Sequence, residues 1–492
     1  MTETAKKKRG MPSSFTILLA LLAIVAVVTV IVSGTSGGAV TAARLSDFCT
    51  APIKGFADAL PVCLFVMILG GFLGMMTETG ALDNGIAVLV QKLKGNEIML
   101  IPVLMLIFSL GGTTYGMCEE TVPFYALLAA TMMAAGFDPM VGAATVLLGA
   151  GCGCLGSTVN PFAVGAAVDA LTGVDIAVNQ SIIIGLGAVL WLVTTVMSIV
   201  FVMNYAKKVK ADKGSTILSM QELKDAEEAH GKAASEVHKE VKLTGRQKGV
   251  LIAFAFTFVV MIVGFIPLAD LNEGVANFFD AGAVYDADGN AVVQGWSALI
   301  TGLPIGQWYF DEASTWFFLM AILIGIIGGL SEKQIVNTFI TGAADMMSVV
   351  LVIALARGIS VLMASTGLDV FVLDAAANAL AGLSGVIFAP MSFLVYFGLS
   401  FLIPSTSGMA TVSMPIMGPL AVKLGFSPEV MVMIFSAAIG VVNLFTPTSG
   451  AIMGGLALAK IEWTTWLKFA LKLIVALSVV CAVILTVACV LI

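Results

Sequence analysis

The stretch Gly111-Gly112-Thr113-Thr114-Tyr115-Gly116-Met117, with Pro123 six residues on, returns in altered form as Ser405-Thr406-Ser407-Gly408-Met409, with Pro415 six residues on. Both are polar, glycine-bearing interruptions of apolar sequence. Three further pairs keep the same order. Met76-Thr77-Glu78-Thr79-Gly80-Ala81-Leu82-Asp83 resembles Met363-Ala364-Ser365-Thr366-Gly367-Leu368-Asp369, and Ala135-Gly136-Phe137-Asp138-Pro139 resembles Leu424-Gly425-Phe426-Ser427-Pro428. Gly156-Ser157-Thr158-Val159-Asn160-Pro161 falls opposite Phe445-Thr446-Pro447-Thr448-Ser449-Gly450. Two unrelated apolar segments share one such match easily, whereas four collinear matches mark an internal repeat.

The sequence around these interruptions needs lipid. Of 492 residues, 59% are hydrophobic and 11% charged, with a mean hydropathy of +1.04, while a soluble chain spends about a quarter of its residues on charge. Runs such as Phe15 to Val32, Val250 to Ile266, Trp316 to Leu330 and Phe469 to Ile492 approach or reach the roughly 20 residues that cross a bilayer as helix. The first run follows the basic segment Lys6 to Arg9 and reads as a retained span, being longer than a signal-peptide core. The net charge of −7 is spread over loops without a basic stripe, so nucleic acid is not an expected partner. Cys152 and Cys154 sit in an apolar glycine-rich run, where small-residue packing explains them better than a metal. His230 and His238, the two histidines, lie in the polar central segment.

Lysine and arginine orient the spans, because short basic loops stay cytoplasmic. Lys6 to Arg9, Lys92 to Lys94, the set from Lys207 to Lys248, Lys333 and Lys460 read as inside; the stretch from Val250 to Glu332 has no Lys or Arg, and its acidic loop reads as outside. Gly80 then precedes an inside loop, whereas Gly367 follows a span that began inside, so the repeats are expected to be inverted. The predicted layout is all-α: spans near 14–33, 58–77, 138–168 and 181–204, then 249–267, 315–330, 346–365, 427–459 and 465–490. Re-entrant hairpins are expected near 97–135 and 385–424. The organisation expected is a cytoplasmic N-terminus (1–13), a first repeat (14–205), a solvated cytoplasmic linker (206–248), an additional span (249–267), an extracytoplasmic loop (268–312) and a second repeat (313–492).

Backbone freed from helix at membrane depth must be satisfied by protein, water or ligand. Gly111 to Gly116 and Pro404 to Gly408 are predicted hairpin tips, and Ser157 to Pro161 and Thr446 to Gly450 predicted helix breaks. Their candidate binding residues are Thr113, Thr114, Tyr115, Gly116, Ser157, Thr158, Asn160, Ser405, Thr406, Ser407, Gly408, Thr446, Thr448 and Ser449. Freed amides and half-helix N-termini favour a substrate carboxylate, while hydroxyls and carbonyls suit a cation, with sodium placed at Thr114, Asn160, Thr406 and Ser449. Helix packing by small residues is the competing explanation for the glycines. Charges at bilayer depth are costly and default to function. Glu119 and Glu120, directly after the first tip, either hold the cationic end of a substrate or a coupling proton, or form a salt bridge elsewhere; Arg357 pairs either with a glutamate or with a substrate carboxylate. Asp169, Asp345 and Asp374 read as interfacial.

With tips and breaks in hand, the chain resembles the ion transporter superfamily, Ser405-Thr406-Ser407-Gly408-Met409-Ala410-Thr411 followed by Met414-Pro415 being similar to its hairpin signature. Within it, Met11-Pro12-Ser13-Ser14-Phe15-Thr16-Ile17-Leu18, Gly116-Met117-Cys118-Glu119-Glu120-Thr121 and Ala356-Arg357-Gly358-Ile359 resemble the YfcC-like family, related to basic amino-acid antiporters. The resemblance implies a bacterial cytoplasmic-membrane homodimer working by an elevator movement.

The leading expectation is a secondary transporter of a small charged solute, a basic amino acid such as arginine, ornithine or lysine, exchanged or coupled to Na+ or H+ and without other cofactor. A sodium-coupled carboxylate or dicarboxylate carrier is the alternative. An intramembrane hydrolase lacks a placed base for any nucleophile, and no Gly-x4-Gly-Lys-Ser/Thr loop supports an ATP-driven pump.

Overall fold

The structure is a computed structural model, and it describes residues 14–82, 84, 85, 88, 96–118, 121–236, 242–266, 268–271, 273–285, 291–403 and 405–492. Glu119, Glu120, Pro404, Lys6 to Arg9, Lys92 to Lys94, His238 and the whole 1–13 segment lie outside the described residues. The fold is helical, apart from a two-stranded antiparallel ribbon (Val284–Tyr285 with Ala291–Val293) in the 268–312 loop.

Among the described residues, eight helices are long and apolar enough to cross a bilayer: Phe15–Ser33, Leu60–Glu78, Glu97–Tyr115, Gln180–Ala211, Gly245–Phe265, Phe310–Gly328, Met347–Thr366 and Trp463–Leu491. The predicted spans 138–168 and 427–459 are not among them. Each is interrupted, into Pro139–Leu155 and Ala166–Thr172, and into Pro428–Val442 and Gly450–Leu458. Conversely, Glu97–Tyr115, predicted as a hairpin arm, has the length of a span.

The third sequence match has a local cause. Gly136 (φ +86°) and Gly425 (φ +81°) sit in the left-handed region that ends a helix, where a side chain is disfavoured. The amides of Phe137 and Phe426 then bond back to the carbonyls of Met132 and Ala421. Asp138 and Ser427 cap the next helices through the amides of Val141 and Val430, each with proline at the first helical position.

Leu45–Asp58, Glu332–Asp345 and Leu368–Leu380 are helices between predicted spans where the layout placed none, besides two short helices in the 268–312 loop. The first two carry mixed charge and polar residues, and Leu45–Asp58 has Pro52 inside, features that read as loop in a search for apolar runs. They pair reciprocally. Leu45–Asp58 lies on Met347–Thr366, and Glu332–Asp345 lies on Leu60–Glu78. A side-chain carbon on Gly55 would strike the backbone at Ala354 and Gly358; one on Gly342 would strike the backbone of Gly70. Such close crossings suit lipid, where packing rather than water exclusion drives helix association.

The hairpins exchange partners in the same way. Leu100–Tyr115 packs on Pro139–Leu155 and Gly385–Leu402 on Pro428–Val442, while the returning arms cross over: Val122–Ala134 meets Gly450–Leu458, and Thr406–Lys423 meets Ala166–Thr172. The segment expected to be a solvated linker is instead docked. Its helix, Met220–Glu236, lies on Val122–Ala134 with Leu218, Glu222, Ala226 and His230 buried. Thr216 donates to Asp138 (2.7 Å), the Glu222 carboxylate accepts from the Glu462 amide (2.9 Å), and the His230 ring meets the Leu458 carbonyl (3.1 Å).

Candidate functional site

Between Leu100–Tyr115 and Val122–Ala134 the chain turns at Gly116, whose φ of +79° ends the first arm. The predicted tip therefore divides: 111–115 are the last helical turns of that arm, and the turn proper follows. Thr113 faces the first break, donating to the Gly156 carbonyl (2.6 Å), while its own carbonyl accepts from the amide (2.8 Å) and hydroxyl (3.0 Å) of Thr158. Both ends of the Asn160 side chain are engaged. Its amide nitrogen donates to the Ser157 hydroxyl (3.0 Å), and its oxygen accepts from the amides of Phe162 (2.9 Å) and Ala163 (3.3 Å), capping the restarted helix. A Cβ on Gly116 would lie 2.5 Å from that oxygen.

The second junction is built differently. Ser405 caps Thr406–Lys423 by accepting from the Gly408 amide (3.1 Å). In the second break the Thr446 and Thr448 hydroxyls bond each other (2.7 Å). The carbonyls of Leu444 and Phe445 are taken by the indole N–H groups of Trp466 (2.9 Å) and Trp463 (2.7 Å). Among the described residues, no hydrogen bond joins 405–408 to 446–449.

A cavity of about 170 Å³ lies where both junctions meet the helix Met347–Thr366. Of the residues predicted from sequence, it brings together Gly116, Asn160, Ser405, Thr406, Ser407, Thr448, Ser449 and Arg357. Thr113, Tyr115, Ser157, Thr158, Gly408 and Thr446 stand behind the wall as supports. Thr114 returns its hydroxyl to the Leu110 carbonyl of its own helix (2.6 Å), and Tyr115 is buried, stacked on Phe265. Tyr125, Cys154, Phe162, Ser436 and Asn443, not expected at the site from sequence, also line it. Asn443 carried a signal, as an amide in an apolar run directly before a break. Ser436, only 2% exposed, has no hydrogen-bond partner for its hydroxyl among the described residues.

Two positive helix ends meet here, those of Thr406–Lys423 and Gly450–Leu458, and Arg357 is a lining residue of the same cavity. Among the described residues Arg357 has an ion-pair partner that was not anticipated from sequence. Its Nε lies 3.0 Å from the carboxylate of Asp58, at the end of the helix that sequence reading overlooked.

A family model described as DcuC, the C4-dicarboxylate anaerobic carrier, matches residues 39–490. The chain belongs to that family. It is a multi-pass membrane transporter and not an enzyme. It is 28% identical over 445 residues to a protein of Haemophilus influenzae, covering 90% of this chain and 78% of that one. It is 27% identical over 440 residues to YfcC of Escherichia coli, provisionally named a basic amino acid antiporter, covering 87% and 77%. Its YfcC-like resemblance thus extends over most of the chain. Among solved structures it is similar to MtrF of Neisseria gonorrhoeae, from a class of antimetabolite efflux pumps, at 16% identity and TM-score 0.44, covering 98% of this chain and 96% of that one. It is also similar to the YdaH transporter of Alcanivorax borkumensis, at 16% and 0.46, covering 97% and 98%.

Proposed function

We propose that the protein is a secondary transporter whose solute presents a carboxylate to the cavity bounded by Arg357, Ser405 to Ser407 and Ser449. The observation that carries this reading is the convergence of Arg357 and two helix N-termini on a single cavity. Both favour an oxyanion. Asp58, already paired with Arg357, is the one acidic group in contact with it among the described residues, so a dicarboxylate suits the described wall better than a cationic side chain does. The basic amino-acid reading keeps one specific support, the named relative. It would place the side-chain cation at Glu119 and Glu120, whose described sequence neighbours Cys118 and Thr121 line the cavity.

Sodium or a proton is the coupling ion in this reading, with the hydroxyls of Thr406 and Ser449 and the orphan hydroxyl of Ser436 as candidate ligands. Reciprocal pairing of helices, hairpins and broken helices supports an inverted repeat, and elevator movement in a homodimer of the bacterial cytoplasmic membrane, N-terminus inside, follows from the family resemblance. Proteoliposome uptake of labelled succinate, arginine and lysine, with and without a sodium gradient, tests the proposal. Succinate uptake lost in Arg357→Gln is expected, with loss of one charged hydrogen-bonding partner costing roughly tenfold or more in KM. Arginine uptake abolished by Glu119→Gln/Glu120→Gln but retained in Arg357→Gln would overturn it in favour of the amino-acid reading.

A further inference from the structure

A second, larger cavity of about 820 Å³ shares four lining elements with the first, its residues lying about one to four turns further along each. On Val122–Ala134 the first cavity is lined by Tyr125 and the second by Ala130 and Thr131; on Gly450–Leu458, by Ala451 and then by Leu458. On Leu60–Glu78 the sequence runs from Val62 to Gly74 and Thr77. On Met347–Thr366 it runs from Arg357 and Ile353 to Ser348 and, just before the helix, Met346.

Between the two cavities lies a small hydrophobic cluster separate from the main core, and all four elements contribute to it. Its centre is Val66, Val122, Met346, Val349, Ile353 and Ala451. Glycine brings the faces into direct contact: a Cβ on Gly450 would strike Ile353, and one on Gly454 would lie 2.7 Å from Val349. The buried members of this cluster are all hydrophobic, Cys63 and Met346 supplying its sulfur atoms. Water and ions cross such a dry layer poorly, because a polar group there loses its hydration without gaining a partner.

We infer that the two cavities are opposite ends of one solute path and that this six-residue septum is the barrier between them. The second cavity, walled by Thr77, Glu78, Thr341, Asp345, His230 and Lys460, is then a charged vestibule for small hydrophilic solutes, and the transport cycle must part the septum. The inference rests on the family's transport activity and is independent of which solute is carried.

Sealed vesicles of both orientations test it, using a membrane-impermeant charged methanethiosulfonate and peptide mass mapping. Thr341→Cys, at an exposed position of the second cavity, should be modified from one face, and the native Cys118 and Cys154 of the first cavity from the other. Modification of both sets from the same face, or of Thr341→Cys from neither, would overturn the inference. In addition, Val349→Ser should raise downhill leak of a small anionic dye several-fold in vesicles containing normally expressed protein. Leak equal to wild type would remove the septum as barrier even if the labelling pattern held.

Discussion

The two places where a hairpin meets a broken helix come from matching stretches of sequence, yet they are bonded to different things. The first is stitched to itself: Thr113 reaches Gly156 and Thr158, and Asn160 spends both ends of its amide on the break. The second is held from behind, two indoles of Trp463–Leu491 taking the carbonyls of its break. That leaves Thr448, Ser449 and the Ser405 to Ser407 turn on the cavity. Of the two matching stretches, the first contributes Gly116 and Asn160 to the cavity and bonds largely within itself, whereas the second turns more hydroxyls onto the cavity.

Exchanging equivalent glycines is the sharpest way to break that comparison. Gly116→Ala puts a side chain at positive φ and into Asn160, a strain of about 1–3 kcal/mol before any clash. Its thermal unfolding in detergent should fall by many degrees and uptake should be lost. Gly408→Ala meets the flexible Ser405 side chain at 3.0 Å without positive φ, so that variant should keep its thermal midpoint near wild type. Equal damage from the two would mean the second junction is as closely built as the first.

A smaller effect separates stability from binding. Thr113→Val deletes a buried hydroxyl and leaves the Gly156 carbonyl without that partner, which should cost about 1–3 kcal/mol with little change in KM. Ser449→Ala, at a cavity-lining residue with no capping bond, should leave stability within about 0.5 kcal/mol while raising KM for solute or coupling ion several-fold. Paired unfolding and uptake measurements on both variants distinguish these outcomes.

How far this contrast was legible in sequence follows from what each residue does locally. Breaks, caps and turns announce themselves, because glycine, proline and hydroxyl residues in apolar sequence have few other uses. Gly136-Phe137-Asp138-Pro139 and its copy were readable for that reason. The helices Leu45–Asp58 and Glu332–Asp345 were not, since helices with a polar face leave no continuous apolar run. Asp58 was hidden with the first of them, and its pairing with Arg357 joins chain segments that no periodicity links. Tyr125 and Ser436 look like ordinary span residues until the arms are crossed in space.

The smallest expected effect concerns the docked linker. Burial, aided by nearby Lys460, holds the His230 imidazole below its ordinary value, against the pull of the Leu458 carbonyl. With the docked value depressed, the undocked state binds protons more readily, so docking is fully supported above the ordinary histidine range and weakens as pH falls through the docked value. Protection of Met220–Glu236 from protease should therefore decline on acidification, and His230→Gln should flatten that dependence. An unchanged profile would detach the linker from pH.

The same strap has a consequence for the making of the protein. Glu222 finds the amide of Glu462 across 240 residues of chain, and His230 finds Leu458 across 228. Met220–Glu236 can settle on Val122–Ala134, made before it, whereas its bonds to Leu458 and Glu462 form only after nearly all of the second half has been inserted. Until then the strap is held on one side only, and a chain that stalls before Leu458 leaves Glu222 and His230 without those two partners.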